Sequence, residues 1–146
     1  MVAHGVRYPE AALEKLAQAG IEYRGYLSNL QTARTYAASS AALHVPRQQY
    51  ANGLSGIPTI RVFEALACGV PLLCSPWTDD EGLFHPGEDY IVARDGQALK
   101  AELENLLRDP AAGLELGKHG MRTILERHTC THRARQLVSI CEEISA

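Results

Sequence analysis

The stretch Gly53-Leu54-Ser55-Gly56-Ile57-Pro58-Thr59-Ile60-Arg61-Val62-Phe63-Glu64-Ala65-Leu66-Ala67-Cys68-Gly69 runs a glycine- and serine-containing loop straight into a helix. Proline near the start and glycine just past the end are ordinary helix punctuation, so residues 58–68 are expected to be helical with Pro58 in the first turn. The short apolar run after it, residues 70–74, reads as a buried strand. Within the helix, Ile60, Phe63, Leu66 and Ala67 are expected to form one buried face. Arg61 and Glu64, three apart, then share another.

Working outward, the same alternation of strand and helix signals recurs. Upstream, residues 2–4 close a strand, and residues 10–19 carry Leu13, Leu16 and Ala17 at helical spacing before stopping at Gly20. Residues 21–26 read as a strand and 30–38 as a helix capped by Ser28 or Asn29. Residues 41–45 form a buried strand ended by Pro46, and a long polar loop follows. Downstream, residues 75–88 are a loop rich in Pro, Gly and Asp, and residues 90–93 are the last strand. Residues 97–108 are a helix with Leu99, Leu103, Leu106 and Leu107 on one face, Asp109-Pro110 caps and opens a helix over 111–127, and another covers 131–144. The expected fold class is α/β: a Rossmann-like three-layer domain, with a mostly parallel sheet of about five strands and extra C-terminal helices. In such a sheet the ligand crevice lies beyond the carboxyl ends of the strands, which singles out the loops at 4–8, 25–29, 46–57, 75–87 and 94–96.

Composition narrows the partners. A chain of 146 residues with 46% apolar content can bury one core, so residues 1–146 are expected to be a single domain. With a net charge of -3 and scattered Lys and Arg, nothing points to nucleic acid. No apolar run is long enough for a membrane span and no signal-peptide core follows Met1, so a cytoplasmic protein is expected. Cys68, Cys74, Cys130 and Cys141 show no paired spacing and read as reduced thiols. The phosphate cradles G-x-G-x-x-G after the first strand and G-x-x-x-x-G-K-[ST] are both missing, which sets dinucleotide and P-loop readings well behind.

A helix start exposes free N–H groups and the positive end of the helix dipole to an anion. Arg61 close to that end opposes the dipole, which a bound diphosphate would offset. Arg61 and Glu64 therefore read either as a solvated ion pair worth a few tenths of a kcal/mol or as two groups sharing one ligand. Arg47, after a strand end, either neutralises phosphate or is a solvated loop residue. His4 and Arg7 flank the ligand edge if the first strand is where it is expected. Trp77, the only tryptophan, stacks on a base, faces a further domain, or packs locally. Asp79, Asp80 and Glu81 read as a solvated turn. His128 and His132, four apart around Cys130, raise a metal hypothesis without a third ligand at a usual spacing.

Residues 60–73, Ile60-Arg61-Val62-Phe63-Glu64-Ala65-Leu66-Ala67-Cys68-Gly69-Val70-Pro71-Leu72-Leu73, resemble the donor-site helix and following strand of GT-B glycosyltransferases, especially the bacterial branch of CgeB-like spore maturation proteins. Residues 23–27 look like that family's strand and nucleotide loop. Residues 77–90, with Gly82, Phe84, Pro86-Gly87 and Glu88, resemble a further loop, and His128-Thr129 with His132-Arg133-Ala134 its closing helix. The resemblance implies the nucleotide-sugar-binding half of a two-domain enzyme, with an N-terminal acceptor-binding domain absent from this chain. Glu64 would accept from the ribose hydroxyls, as a carboxylate suits a diol. Thr59, Ile60 and Arg61 would face the diphosphate, and Tyr26 and Leu27 would lie at the base, unless Tyr26 simply covers the core edge. The related retaining enzymes carry another Glu eight residues before Glu64, where this chain has Gly56. With Arg47 these residues make up the expected nucleotide-sugar site. The same resemblance implies no cofactor, no bound metal, and little or no turnover by this domain alone. A non-catalytic α/β regulatory or partner-binding module is the competing reading, and Gly56 is the residue that favours it.

Overall fold

The computed structural model describes residues 1–46, 56 and 58–145. Among these lie five strands, β1 (Val2–Ala3), β2 (Glu22–Tyr23), β3 (Ala42–His44), β4 (Leu72–Cys74) and β5 (Ile91–Val92). The described helices are α1 (Glu10–Gln18), α2 (Asn29–Ala37), α3 (Ile60–Ala67), α4 (Gly96–Arg108), α5 (Pro110–Arg127) and α6 (Cys130–Ser145). Every strand pairing is parallel, as expected. The chain divides into two compact units, Met1–Thr35 and Tyr36–Ala146, with the division falling inside α2.

In the first unit β1 and β2 pair with Val2 opposite Glu22 and Ala3 opposite Tyr23, and α1 is the crossover between them. Pro9, extended at φ -62 and ψ 150, precedes α1. The helix ends in a Schellman turn: the Gly20 amide donates to the Ala17 carbonyl and the Ile21 amide to Leu16, with Gly20 left-handed at φ +68. Residues 21–26 make a much shorter strand than the alternation suggests, because Gly25 turns left-handed at φ +67 and ends the extended run. Ser28, directly before α2, accepts from the Gln31 amide and the Thr32 hydroxyl through its carbonyl.

The second unit holds the sheet β3-β4-β5, with His44 opposite Cys74 and Cys74 opposite Val92. Its core gathers Val62, Ala65 and Leu66 from α3, Leu72 and Cys74 from β4, and Phe84, Tyr90 and Ile124. Burial of each large apolar side chain there stabilises by roughly 1.5–3 kcal/mol before its ordering entropy is set against it. Two local expectations are corrected. The buried stripe of α3 is Val62–Ala65–Leu66, whereas Ile60 is 66% exposed and Ala67 is exposed. The helix carries two adjacent apolar stripes, and the one facing α5 and β4 is the one buried. Pro58 lies outside the helix, because Thr59 caps it: the Thr59 side chain accepts from the Arg61 amide, so the first helical residue is Ile60.

The Schellman ending recurs at the other end of α3, where the Gly69 amide donates to Leu66 and the Val70 amide to Ala65. α4 and α5 are capped by Asp95 and Asp109, whose carboxylates accept from the amides of Ala98 and Ala112 at 2.8 and 3.0 Å. α5 lies very close to the α3–β4 turn because Gly117 faces it: a Cβ on Gly117 would sit 2.2 Å from the Gly69 carbonyl oxygen, and one on Gly120 would meet the Leu66 side chain and the Asp89 carbonyl. α6 has no buried residue, and Leu137, Ile140 and Ile144, one helical stripe, are exposed.

Candidate functional site

The carboxyl edge of the three-stranded sheet is marked by His44, Cys74 and Val92. The start of α3 is joined to that edge through side chains: His44 Nε2 lies 2.8 Å from the Thr59 Oγ1, and Thr59 is the N-cap. A parallel sheet whose crossover helix returns from above the strand ends puts free helix-start amides where a ligand meets the sheet. The local sequence enforces this. Thr59 is extended at φ -77 and ψ 157, as a cap must be, and its oxygen ends the turn.

Arg61 and Glu64 are ion-paired on the outer face of α3, with Arg61 54% and Glu64 24% exposed. Ile60 stands exposed on the same side. Beneath Glu64, burial raises the Tyr36 hydroxyl above its ordinary range and the Glu64 charge adds to the effect. Burial likewise raises the Cys68 thiol, and Glu64 adds to that. The carboxylate is thus the negative centre of a partly enclosed corner. Thr59, Ile60, Arg61 and Glu64 lie together in the first turns of α3.

Gly56 is buried and left-handed at φ +87, and a Cβ there would lie 2.1 Å from Asp80 Oδ2. The carboxylate of Asp80 therefore stands where a side chain at position 56 would begin. Arg47, and the 46–57 loop apart from Pro46 and Gly56, lie outside the described residues. Tyr26 and Leu27 belong to the first unit, where Tyr26 is exposed and Leu27 half-buried. In that unit the Gly5 amide donates to the Gly25 carbonyl at 2.9 Å and the Tyr23 hydroxyl to the Gly5 carbonyl at 2.8 Å, which joins the two loops at its strand ends.

The 75–89 loop is internally braced. Trp77 stacks on Tyr90 at 6.1 Å, so its packing is local. Asp79 is not simply solvated, as its Oδ2 accepts from the Phe84 amide at 2.8 Å. Asp89 is fully buried and accepts from the Thr123 hydroxyl at 2.6 Å, the His85 amide at 2.7 Å and His119 Nδ1 at 2.8 Å. Burial alone would raise its carboxyl, but these hydrogen bonds outweigh it and hold the group below its ordinary value. His128 Nε2–H donates to the Leu83 carbonyl at 2.9 Å, and the ring packs on Phe63 and Phe84. His132 pairs instead with the Thr129 hydroxyl at 2.7 Å. The two histidines thus serve different hydrogen bonds, and no group of three potential metal ligands occurs among the described residues.

The residues that sequence reasoning missed are His44, Asp89 and the two α5 glycines. His44 had a signal, a lone imidazole at the end of an apolar strand on the ligand edge. Asp89 had none, because its three donors come from residues distant or unremarkable in sequence.

The described fold agrees with what comparison with known proteins finds. Sucrose-phosphate synthase from Thermosynechococcus elongatus superposes on 98% of the chain with a TM-score of 0.78 at 20% identity. HepE of Anabaena, solved in complex with UDP-glucose, superposes on 97% with a TM-score of 0.75 at 14% identity. The same protein in complex with UDP gives 92% and 0.73. The chain spans only 38% and 40% of the first two, so the likeness is that of one domain of each. No curated protein matches the chain. No described helix is long and apolar enough to cross a membrane. The family model described as glycosyl transferase-like matches residues 1–139, nearly the whole length, and the chain belongs to that family, with the Rossmann-like fold of a GT-B glycosyltransferase domain.

Proposed function

We propose that this chain is the donor-binding domain of a glycosyltransferase that moves a sugar from a nucleoside diphosphate sugar to an acceptor hydroxyl. The observation that carries the reading is the capped start of α3 held against the carboxyl edge of a parallel sheet, with Arg61 and Glu64 on its open face. The negative charge that develops on the departing diphosphate meets the amide of Ile60 and the guanidinium of Arg61. Glu64 accepts from the two ribose hydroxyls, exchanging its exposed ion pair, worth at most about 1 kcal/mol, for two charge-assisted hydrogen bonds. No cofactor or metal enters this scheme, since helix amides and arginine supply the electrophilic stabilisation. HepE is solved in complex with UDP and with UDP-glucose, which makes UDP the first nucleotide to try.

The acceptor and any general base then come from a second, N-terminal domain. The bare apolar stripe of Leu137, Ile140 and Ile144 on α6 supports such a partner, as does a chain length near two fifths of the matched structures. Placement in the bacterial CgeB-like branch and in the cytoplasm belongs to the same proposal. The competing non-catalytic module finds less support, since Gly56 leaves the helix start and Glu64 intact.

Calorimetric titration with UDP, GDP, ADP and TDP tests the reading. One diphosphate should bind saturably, and Glu64→Ala should weaken it about 10- to 100-fold, the equivalent of one or two charge-assisted hydrogen bonds. Binding untouched by Glu64→Ala, or no binding by any of the four, would refute it.

A further inference from the structure

His44 is 7% exposed and closes β3, yet no expectation of the site included it. Its Nε2 meets Thr59 Oγ1 at 2.8 Å, while its Nδ1 is buried without a hydrogen-bond partner among the described residues. Two hydrogen arrangements satisfy that contact. If the hydrogen were on Nδ1, a buried N–H donor would be left unmatched, the rarer and costlier kind of orphan. With the hydrogen on Nε2, the ring donates to Thr59 and only a bare nitrogen is left over.

The second arrangement decides what Thr59 can do. A threonine hydroxyl has two lone pairs and one hydrogen. One lone pair takes the Arg61 amide at 3.3 Å and the other takes His44 Nε2–H. Its own hydrogen is then excluded from both partners and turns outward, in front of the helix start.

We infer that His44 is a positioning residue that fixes the Thr59 hydroxyl as an outward hydrogen-bond donor to an anionic oxygen at the start of α3. The inference rests on the donor-site reading and deepens it by adding a side-chain donor to the amides. Burial also favours the neutral ring, since it lowers the basicity of His44, and a neutral ring can hold the tautomer described.

The test is UDP titration of the full chain with a set of variants. His44→Leu should weaken UDP about tenfold, near the value of one hydrogen bond to a charged group. His44→Gln, whose amide nitrogen reaches the place of Nε2, should stay within about threefold of the unaltered chain on the same scale. Thr59→Val should weaken UDP at least as much as His44→Leu, and Thr59→Ser should restore binding. The double variant His44→Leu with Thr59→Val should be no weaker than Thr59→Val alone, since His44 acts only through Thr59. Should the leucine variant not fold, His44→Asn, one carbon shorter than glutamine, carries the same expectation. Additive losses in the double variant, or a glutamine variant as weak as the leucine one, overturn the inference while leaving the donor site standing. Failure of the unaltered chain to bind any nucleoside diphosphate overturns both.

Discussion

Glycine to alanine on one helix should change stability in opposite directions at two positions four residues apart. At an unhindered site inside a helix the exchange stabilises by up to about 1 kcal/mol, because glycine leaves the unfolded chain with more freedom to lose. Gly113 in α5 is such a site: an added Cβ would meet Pro71 Cγ at 3.4 Å and Leu106 Cδ2 at 3.7 Å, both ordinary contacts. At Gly117 the added Cβ falls 2.2 Å from the Gly69 carbonyl oxygen and 2.9 Å from its carbon. To regain a 3.0 Å contact α5 or the Gly69 backbone must move by about 0.8 Å, and neither is the free end of a flexible side chain. Overpacking costs about 1–3 kcal/mol, and against backbone atoms the upper part of that range, about 2–3, applies, of which the propensity gain offsets about 1. Gly113→Ala should therefore raise the melting temperature by about 1–4 °C, and Gly117→Ala should lower it by about 2–8 °C, at a few degrees per kcal/mol for a domain of this size. Circular dichroism melts of the two variants beside the unaltered chain measure both. A Gly117→Ala variant as stable as the parent would refute the close approach of α5 to the α3–β4 turn, and with it the placement of α3 on the sheet edge.

Asp89 gives a pH dependence with a definite sign. Its carboxyl is held below the ordinary value of 3.8 in the folded chain, so its contribution is complete above that value and is lost as the pH falls through the lower, folded one. Asp89→Asn should cost about 1–3 kcal/mol at neutral pH and flatten the acid limb of urea-unfolding free energy below about pH 4; an unchanged acid limb would count against the hydrogen-bonded carboxylate. Cys74, buried and pushed up to about 12, should resist thiol labelling at pH 8 while exposed Cys130 and Cys141 react at once, as read by mass spectrometry. Gly56→Glu should destabilise by about 1–2 kcal/mol, because φ +87 is a strained conformation for any residue with a Cβ; a variant with no loss of stability would show the position to be freer than its backbone implies. Thr59→Ala should lower stability by about 1 kcal/mol through loss of the cap, measured in the same melts.

The alternation of apolar runs with Gly, Pro and Asp was sufficient to specify the α/β class, the parallel pairing and nearly every helix, because these follow from period and punctuation along the chain. Asp109 is a cap that the sequence announces, and Gly20 and Gly69 end helices in the same hydrogen-bond pattern for the same reason. The juxtaposition of Arg61 with Glu64 was equally legible, being a matter of helical spacing alone. The full buried face of α3 was not: Phe63 and Leu66 turn inward as spacing suggests, but Val62 and Ala65 are buried where Ile60 and Ala67 were expected, because the position of α5 and β4 decides. Nor could spacing reveal that Thr59, rather than Pro58, opens the helix with its oxygen turned to His44, or that Asp80 fills the place beside Gly56. Those contacts join residues fifteen and twenty-four positions apart. Local propensity carries no information across such gaps; the packing of the crossover helix on its sheet brings the partners within reach.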